Sequence, residues 1–153
     1  MDFNEETLQH AAHVLDQKQK QFNRSASIDL MKKSVQNLLK DVAAGNAISK
    51  AGNFDFIYCA GLFDYLPDRT CRRLSNLFYR SLAPGGLLLF TNVTPSAPNR
   101  GSLELILDWH LNYRAVPQVA ALGPEGVSED QLRIESDDTG FNLFLEARKN
   151  NGS

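Results

Sequence analysis

Few residues of this chain have the type and spacing to do chemistry, and most of them fall between Cys59 and Arg114. Cys59 ends an apolar run and Cys71 follows 12 positions later, a spacing that suits no metal. As a nucleophile Cys59 would need a base and an orienting group, and no histidine is near it in sequence, so burial is the expected role. His10 and His13 sit three apart on a helical pattern without a third ligand in sequence, which describes a solvated helix face rather than a metal site. Phe63-Asp64-Tyr65 places a carboxylate and a phenol in a loop straight after that apolar run, and Trp109, His110, Tyr113 and Arg114 cluster further on. No triad, no metal-ligand set and no G-x-G-x-x-G is present. What remains is chemistry by binding and positioning.

The elements that must hold these residues can be read from periodicity. Phe54 to Cys59 is a short apolar run, Cys71, Leu74, Leu77, Phe78 and Leu82 recur at helical spacing, and Leu87 to Thr91 is a second apolar run. Pro67 and Pro84-Gly85-Gly86 punctuate them, giving one right-handed βαβ unit with Asp68 as a helix cap. Both runs are continuously apolar, which predicts strands inside a parallel sheet covered by helices. Upstream, Asn4 caps a helix over Glu5 to Phe22, Ile28 to Val35 reads as a strand, Gln36 to Ala44 as a short helix or turn, and Gly45 to Asn53 as a polar link. Downstream come a Pro-broken loop from Asn92 to Asn99, an amphipathic helix from Gly101 to Tyr113, and a second helical piece over Val116 to Leu122. A hairpin closes the chain: Leu132 to Ser136 and Phe141 to Ala147 flank the turn Asp137 to Gly140, with Gly140 taking a positive φ and Ile134, Leu143 and Leu145 turned inward.

The Asp in the buried Phe54 to Cys59 strand, the Gly61-Leu62-Phe63-Asp64-Tyr65-Leu66 loop and Leu82-Ala83-Pro84-Gly85-Gly86 before the next strand together resemble the second half of a class I S-adenosylmethionine-dependent methyltransferase. The resemblance implies an α/β, Rossmann-like sheet, mostly parallel with a C-terminal antiparallel hairpin, and S-adenosylmethionine as cofactor. It implies that Asp2 holds the ribose hydroxyls, since one carboxylate accepts two hydrogen bonds, and that Ser34 and Val35 at the next strand end face the adenine, with Ser34 where the family has an acid. Cys59, Ala60, Gly61 and Leu62 would face the methionine part, where small residues allow close approach. Phe63, Asp64 and Tyr65 would stand beside cofactor and acceptor. Asp108-Trp109-His110-Leu111-Asn112-Tyr113-Arg114 is similar to a bacterial subgroup linked to fatty-acid methyl ester signals, which implies Tyr113 and Arg114 addressing an acceptor carboxylate and Trp109 and Leu111 in the core. The acceptor side would be built with the Thr94 to Asn99 loop. The resemblance identifies no catalytic side chain and no metal.

The chain has 153 residues, 42% hydrophobic, which predicts one domain over 1–153 with a real core. A formal charge of −2 gives no basic field for nucleic acid. Nothing approaches the roughly 20 apolar residues of a membrane span, and the first residues lack a signal-peptide pattern, so a cytoplasmic protein with unpaired cysteines is expected. The resembled family has a first strand and a Gly-rich loop ahead of the residue matching Asp2, and here only Met1 precedes it. The expectation is therefore an N-terminally incomplete domain that binds cofactor poorly or not at all, exposes apolar surface beside the Phe54 to Cys59 strand, and rearranges, pairs with a copy of itself or with a missing N-terminal segment, or is marginally stable. The leading reading is methyl transfer to a small-molecule acceptor, with a carboxylate such as a fatty acid as one form. The alternatives are a non-catalytic α/β binding or assembly module and a nicotinamide-dependent dehydrogenase, the last disfavoured because Gly85-Gly86 runs from helix into strand.

Overall fold

The computed structural model describes residues 1–44, 54–98 and 100–151. The expected link from Gly45 to Asn53 lies outside the described residues, as does Asn99. The chain divides into two compact units, Met1–Ile48 and Ser49–Ser153.

In the first unit, Asn4 caps helix α1, Glu5–Gln21, accepting from the backbone N–H groups of Glu6 and Thr7, while Glu5 and Glu6 complement the helix dipole. Helix α2, Val35–Ala43, has Ser34 as its cap, with Oγ accepting from Asn37 N at 3.2 Å. The strand expected over Ile28 to Val35 does not form. Only a single parallel bridge joins Asp2 to Lys32, through Asp2 N–H to Met31 O at 3.1 Å and Lys33 N–H to Asp2 O at 2.9 Å. The alternating pattern was misleading, because a serine that satisfies a first-turn N–H starts a helix one residue later. Ser34 and Val35 thus stand at a helix start, not at a strand end.

The second unit is a mixed sheet of four strands in the order β1-β2-β4-β3. Strand β1, Phe54–Cys59, pairs in parallel with β2, Leu82–Val93, across helix α3, Asp68–Ser81. This is the expected βαβ unit, with Pro67 rather than Asp68 at the cap position and Asp68 as the first helical residue. Helix α3 buries Cys71, Leu74 and Ser75, and it packs on β2. Strand β2 is longer than expected because it absorbs Pro84-Gly85-Gly86: Phe54 pairs with Leu82, but Phe56 pairs with Leu87, so the glycines lie in an irregular stretch of strand. A Cβ at Gly86 would come within 2.8 Å of Phe54 O and 2.9 Å of Ala83 O, so only glycine allows the two backbones to approach there.

The hairpin expected at the C-terminus is present. Strand β3, Leu132–Ser136, pairs antiparallel with β4, Asn142–Arg148, and β4 pairs antiparallel with β2. Leu143 and Leu145 are buried, Ile134 opposite Leu145 is half-buried, and Gly140 has φ +66°. The Asp137 carboxylate locks the turn by accepting from Thr139 Oγ1 and from the N–H groups of Phe141 and Asn142.

Two expectations fail here. Strand β1 is not interior: among the described residues it is an edge strand, and Phe56 and Tyr58 stand 53% and 55% exposed, stacked at 6.2 Å on one face. The apolar surface expected beside this strand is therefore observed. The helix expected from Gly101 to Tyr113 is also cut short. Helix α4 covers Arg100–Ile106, Asp108 takes a left-handed φ of +48°, and the chain runs without regular structure to helix α5, Val116–Ala120.

Candidate functional site

Strand β2 ends in Thr91, Asn92 and Val93, all buried, with Thr94 buried beyond them. Polar groups in such a place must find partners, and each finds one in a different loop. Thr91 Oγ1 accepts from Gly61 N–H at 2.9 Å. Asn92 Oδ1 accepts from Arg114 Nη1 at 2.6 Å, and its Nδ2 donates to Asn112 O at 2.9 Å. Val93 N–H donates to Asp64 Oδ1 at 2.7 Å, while its carbonyl accepts from Arg114 N–H at 3.1 Å. Thr94 N–H and Oγ1 reach Phe141 O and Gly140 O at 2.9 Å each. The carboxyl end of β2 thereby fixes the loop after β1, the segment after α4 and the hairpin turn.

Between these segments lies a cavity of about 370 Å³, lined from the β1 end by Ala60, Gly61, Asp64 and Tyr65 and completed by Val93, Trp109, Leu111, Phe141 and Asn142. The size is that of a small-molecule site, and the place is the carboxyl edge of a parallel strand pair, where α/β sheets bind ligands. Gly61 has φ +68°, a conformation that a side chain strains. A Cβ there would meet nothing within 4 Å, so the glycine serves the turn and leaves the cavity mouth open.

Asp64 is 3% exposed. Burial pushes its carboxyl above the ordinary 3.8, and the Val93 N–H and the Arg114 guanidinium offset part of that rise. Tyr65 is exposed, and its hydroxyl accepts from Trp109 Nε1 at 2.7 Å, which ties the segment after α4 to the loop after β1. Trp109 was expected in the core; it is 42% exposed at the cavity rim instead, because its indole N–H is spent on Tyr65.

Arg114 was expected to meet an acceptor carboxylate. It stands at the right edge but is 3% exposed, and every guanidinium N–H has a partner within the chain. Nε and Nη2 reach Asp68 Oδ1 at 3.0 and 2.7 Å, Nη2 reaches Leu66 O at 2.7 Å, and Nη1 reaches Phe63 O at 2.9 Å in addition to Asn92. A guanidinium has five N–H donors, so none is left for a ligand. Arg114 fastens the loop that carries Asp64 and Tyr65.

The remaining assignments divide as follows. Ala60, Gly61 and Asp64 line the cavity. Phe63 is a core residue, fully buried with its ring 4.3 Å from that of Phe90, and so is not available to a substrate. Leu62 is half-buried and outside the lining. Tyr113 is outside it too: the Arg100 guanidinium lies 4.4 Å over its ring, and its hydroxyl is buried without a partner among the described residues. The Cys59 and Cys71 thiols are free, and burial pushes them to about 12 and about 11, which leaves both as neutral packing groups. None of the lining residues comes from the Thr94 to Pro98 stretch. Asp2, Ser34 and Val35 belong to the other unit, where Asp2 Oδ1 accepts from Asn4 N–H at 2.8 Å. Among the described residues no cluster of metal-ligating side chains occurs, and no helix is long and apolar enough to cross a membrane.

Phe141, Asn142 and Val93 were missed because they line the cavity only once the hairpin has folded back on β2. Their one sequence signal was the polar Thr91-Asn92 pair ending an apolar strand.

No family model matches the sequence, and no curated protein matches it. Solved structures do. A protein from Bordetella parapertussis described as a possible exported protein superposes with a TM-score of 0.71 at 21% identity, over 97% of this chain and 51% of its own. An O-methyltransferase family protein from Burkholderia thailandensis follows with 0.63 at 19%, over 99% and 43%. Magnesium protoporphyrin IX methyltransferase from Synechocystis, with S-adenosylhomocysteine bound, gives 0.52 at 12%, over 88% and 57%. The chain spans about half the length of these neighbours. At such identities the likeness shows the fold: an α/β chain with the Rossmann-like architecture of methyltransferases.

Proposed function

We propose that this protein takes part in S-adenosylmethionine-dependent methyl transfer to a small-molecule acceptor, with the cavity beside Gly61 and Asp64 as the reacting end of the site. The observation that carries this is the cavity's place at the carboxyl edge of β1 and β2, on a fold shared with methyltransferases. The residues present fit the methionine part of the cofactor. Ala60 and Gly61 give it backbone to lie against, and the open space at Gly61 leaves room for it. Asp64 and the rings of Tyr65 and Trp109 suit a neighbouring cation. When bound, S-adenosylmethionine supplies an already activated methyl group.

What the chain must add is position. Tyr65, Trp109 and Leu111 can hold an acceptor by its apolar surface, and the hydrogen bonds from β2 fix the loops that carry them. A carboxylate acceptor, including a fatty acid, rested on Arg114 and Tyr113. Neither lines the cavity, and Arg114 has no free donor, so that form of the reading loses its support. The test is titration with S-adenosylhomocysteine followed by amide NMR. Shifts at Gly61 and at Trp109 Nε1 support the reading, and their absence at millimolar ligand refutes it.

A further inference from the structure

The outer edge of β1 has no partner among the described residues: β1 ends the strand order, and no backbone hydrogen bond outside the β1–β2 ladder reaches Phe54–Cys59. Register with β2 sorts its side chains by face. Ile57 and Cys59 stand opposite Leu88 and Phe90, both buried, whereas Phe56 and Tyr58 stand opposite Leu87 and Leu89, half-buried on the other face. The Phe56 and Tyr58 rings are more than half exposed and lie nearly parallel, 8° apart. With Leu87 and Leu89 they form an apolar patch that runs out to the free edge. Edges that must stay unpaired are commonly blunted by lysine or proline. Phe-Asp-Phe-Ile-Tyr-Cys holds neither, and its one charge, Asp55, alternates onto the face of Ile57, away from the patch. Such an edge is fit to take another strand.

We propose that the occupant is β1 of a second copy of this chain, paired antiparallel across a two-fold axis at Ile57, so that two four-stranded sheets join edge to edge. The strand's own sequence selects the partner and the register. Pairing across such an axis keeps every residue on its own face, so a residue can meet only itself or one an even number of positions away. With the axis at Ile57, Phe56 meets Tyr58 of the copy on the patch face, twice by symmetry, and Asp55 meets Cys59 of the copy on the other. Each exposed ring gains a cross-strand aromatic neighbour, and no like charges face each other. An axis at Phe56 sets the Asp55 carboxylate against Ile57 of the copy, and an axis at Asp55 sets that carboxylate against its own mate. The contact is one six-residue strand a side, short of a standard interface, so the dimer is weak, with a Kd of about 100 µM. Ala60, Gly61 and Asp64 follow β1 directly, so the two cavities lie at opposite ends of the joined strands. The pairing does not depend on the methyltransferase reading.

Sedimentation equilibrium of the full chain from about 10 µM to about 1 mM, at low salt, should fit a monomer–dimer equilibrium. Two double variants then read the surface and the register, with far-UV circular dichroism as the check that each is folded. Phe56→Lys with Tyr58→Lys sets ammonium against ammonium at both crossings and should weaken the dimer at least about tenfold. Phe56→Lys with Tyr58→Glu sets ammonium against carboxylate at both crossings, and should dimerise more tightly than the first variant, by a margin that shrinks as salt is added. A monomer throughout, a species that grows beyond the dimer, a first variant that dimerises like the parent, or two variants weakened equally overturns the proposal. Should either variant not fold, oxidative cross-linking carries the test. Ile57→Cys should join its thiol to that of the copy, since residues on the axis lie within disulfide reach, and Phe56→Cys should not; the reverse result, or no cross-link from Ile57→Cys, overturns the pairing.

Discussion

Replacing Arg114 by Met removes the guanidinium while keeping an unbranched apolar stem of similar reach, and the cost can be worked from its partners. The Asp68 side chain is 58% exposed, so that ion pair contributes no more than about 1 kcal/mol. The other acceptors differ. Phe63 O keeps the Leu66 N–H at 3.2 Å and Leu66 O keeps Asn112 Nδ2 at 3.4 Å, so the buried Asn92 Oδ1 is the acceptor left without a donor, at about 1–3 kcal/mol. Together the loss is about 2–4 kcal/mol, a large share of the roughly 5–15 kcal/mol that holds a domain together. Urea unfolding followed by Trp109 fluorescence should show a midpoint lower by about 2 M at an unchanged slope. Arg114→Lys should recover little, because one ammonium cannot reproduce the planar five-donor array. Asp68→Asn should cost about 1 kcal/mol or less. If Arg114→Met unfolds within about 1 kcal/mol of the unaltered protein, the guanidinium is not the fastener described and its donors are open to a ligand after all.

Gly86→Ala should destabilise by about 1–3 kcal/mol, since its Cβ would meet two backbone carbonyls that cannot yield, and a thermal midpoint unchanged from the parent would contradict the close approach of β1 to β2. Gly61→Ala meets no atom and should cost only the strain of its positive φ, about 1–2 kcal/mol by the same assay. Cys59 and Cys71, held near 12 and 11, should resist iodoacetamide at pH 8 in the native protein and react in urea; mass spectrometry showing rapid native labelling would be against their burial.

How much of this was legible depended on whether a residue's role was local. The β1, α3, β2 succession and the closing hairpin follow from short-range signals: apolar runs, helical spacing of Cys71, Leu74 and Leu77, and the Asp137 to Gly140 turn. The edge position of β1 agrees with the apolar surface expected beside it and goes against the reading of both apolar runs as interior strands, since an apolar run alone does not tell an edge strand from a central one. Ser34 misled because alternation and capping compete over the same few residues, and the cap prevailed. The helix through Gly101 to Tyr113 failed for a tertiary reason. Asn112 N–H and Nδ2 both donate to Asp64 O, at 2.7 and 3.0 Å, and these bonds with those of Arg114 draw the segment out of helical form. Asp64 and Gly61 could be named from the resemblance, but the guanidinium that positions their loop reads in sequence as a free charge.

Under the proposed function, the cavity beside Gly61, Asp64 and Trp109 would receive S-adenosylmethionine and its acceptor. Trp109 is the single tryptophan, so its indole N–H gives one isolated resonance at the rim. The direct measurement is an amide NMR titration with S-adenosylhomocysteine to millimolar concentration. Saturable shifts at Trp109 Nε1–H and the Gly61 and Asp64 amides are expected; shifts confined to other residues, or none at all, would contradict the proposed site.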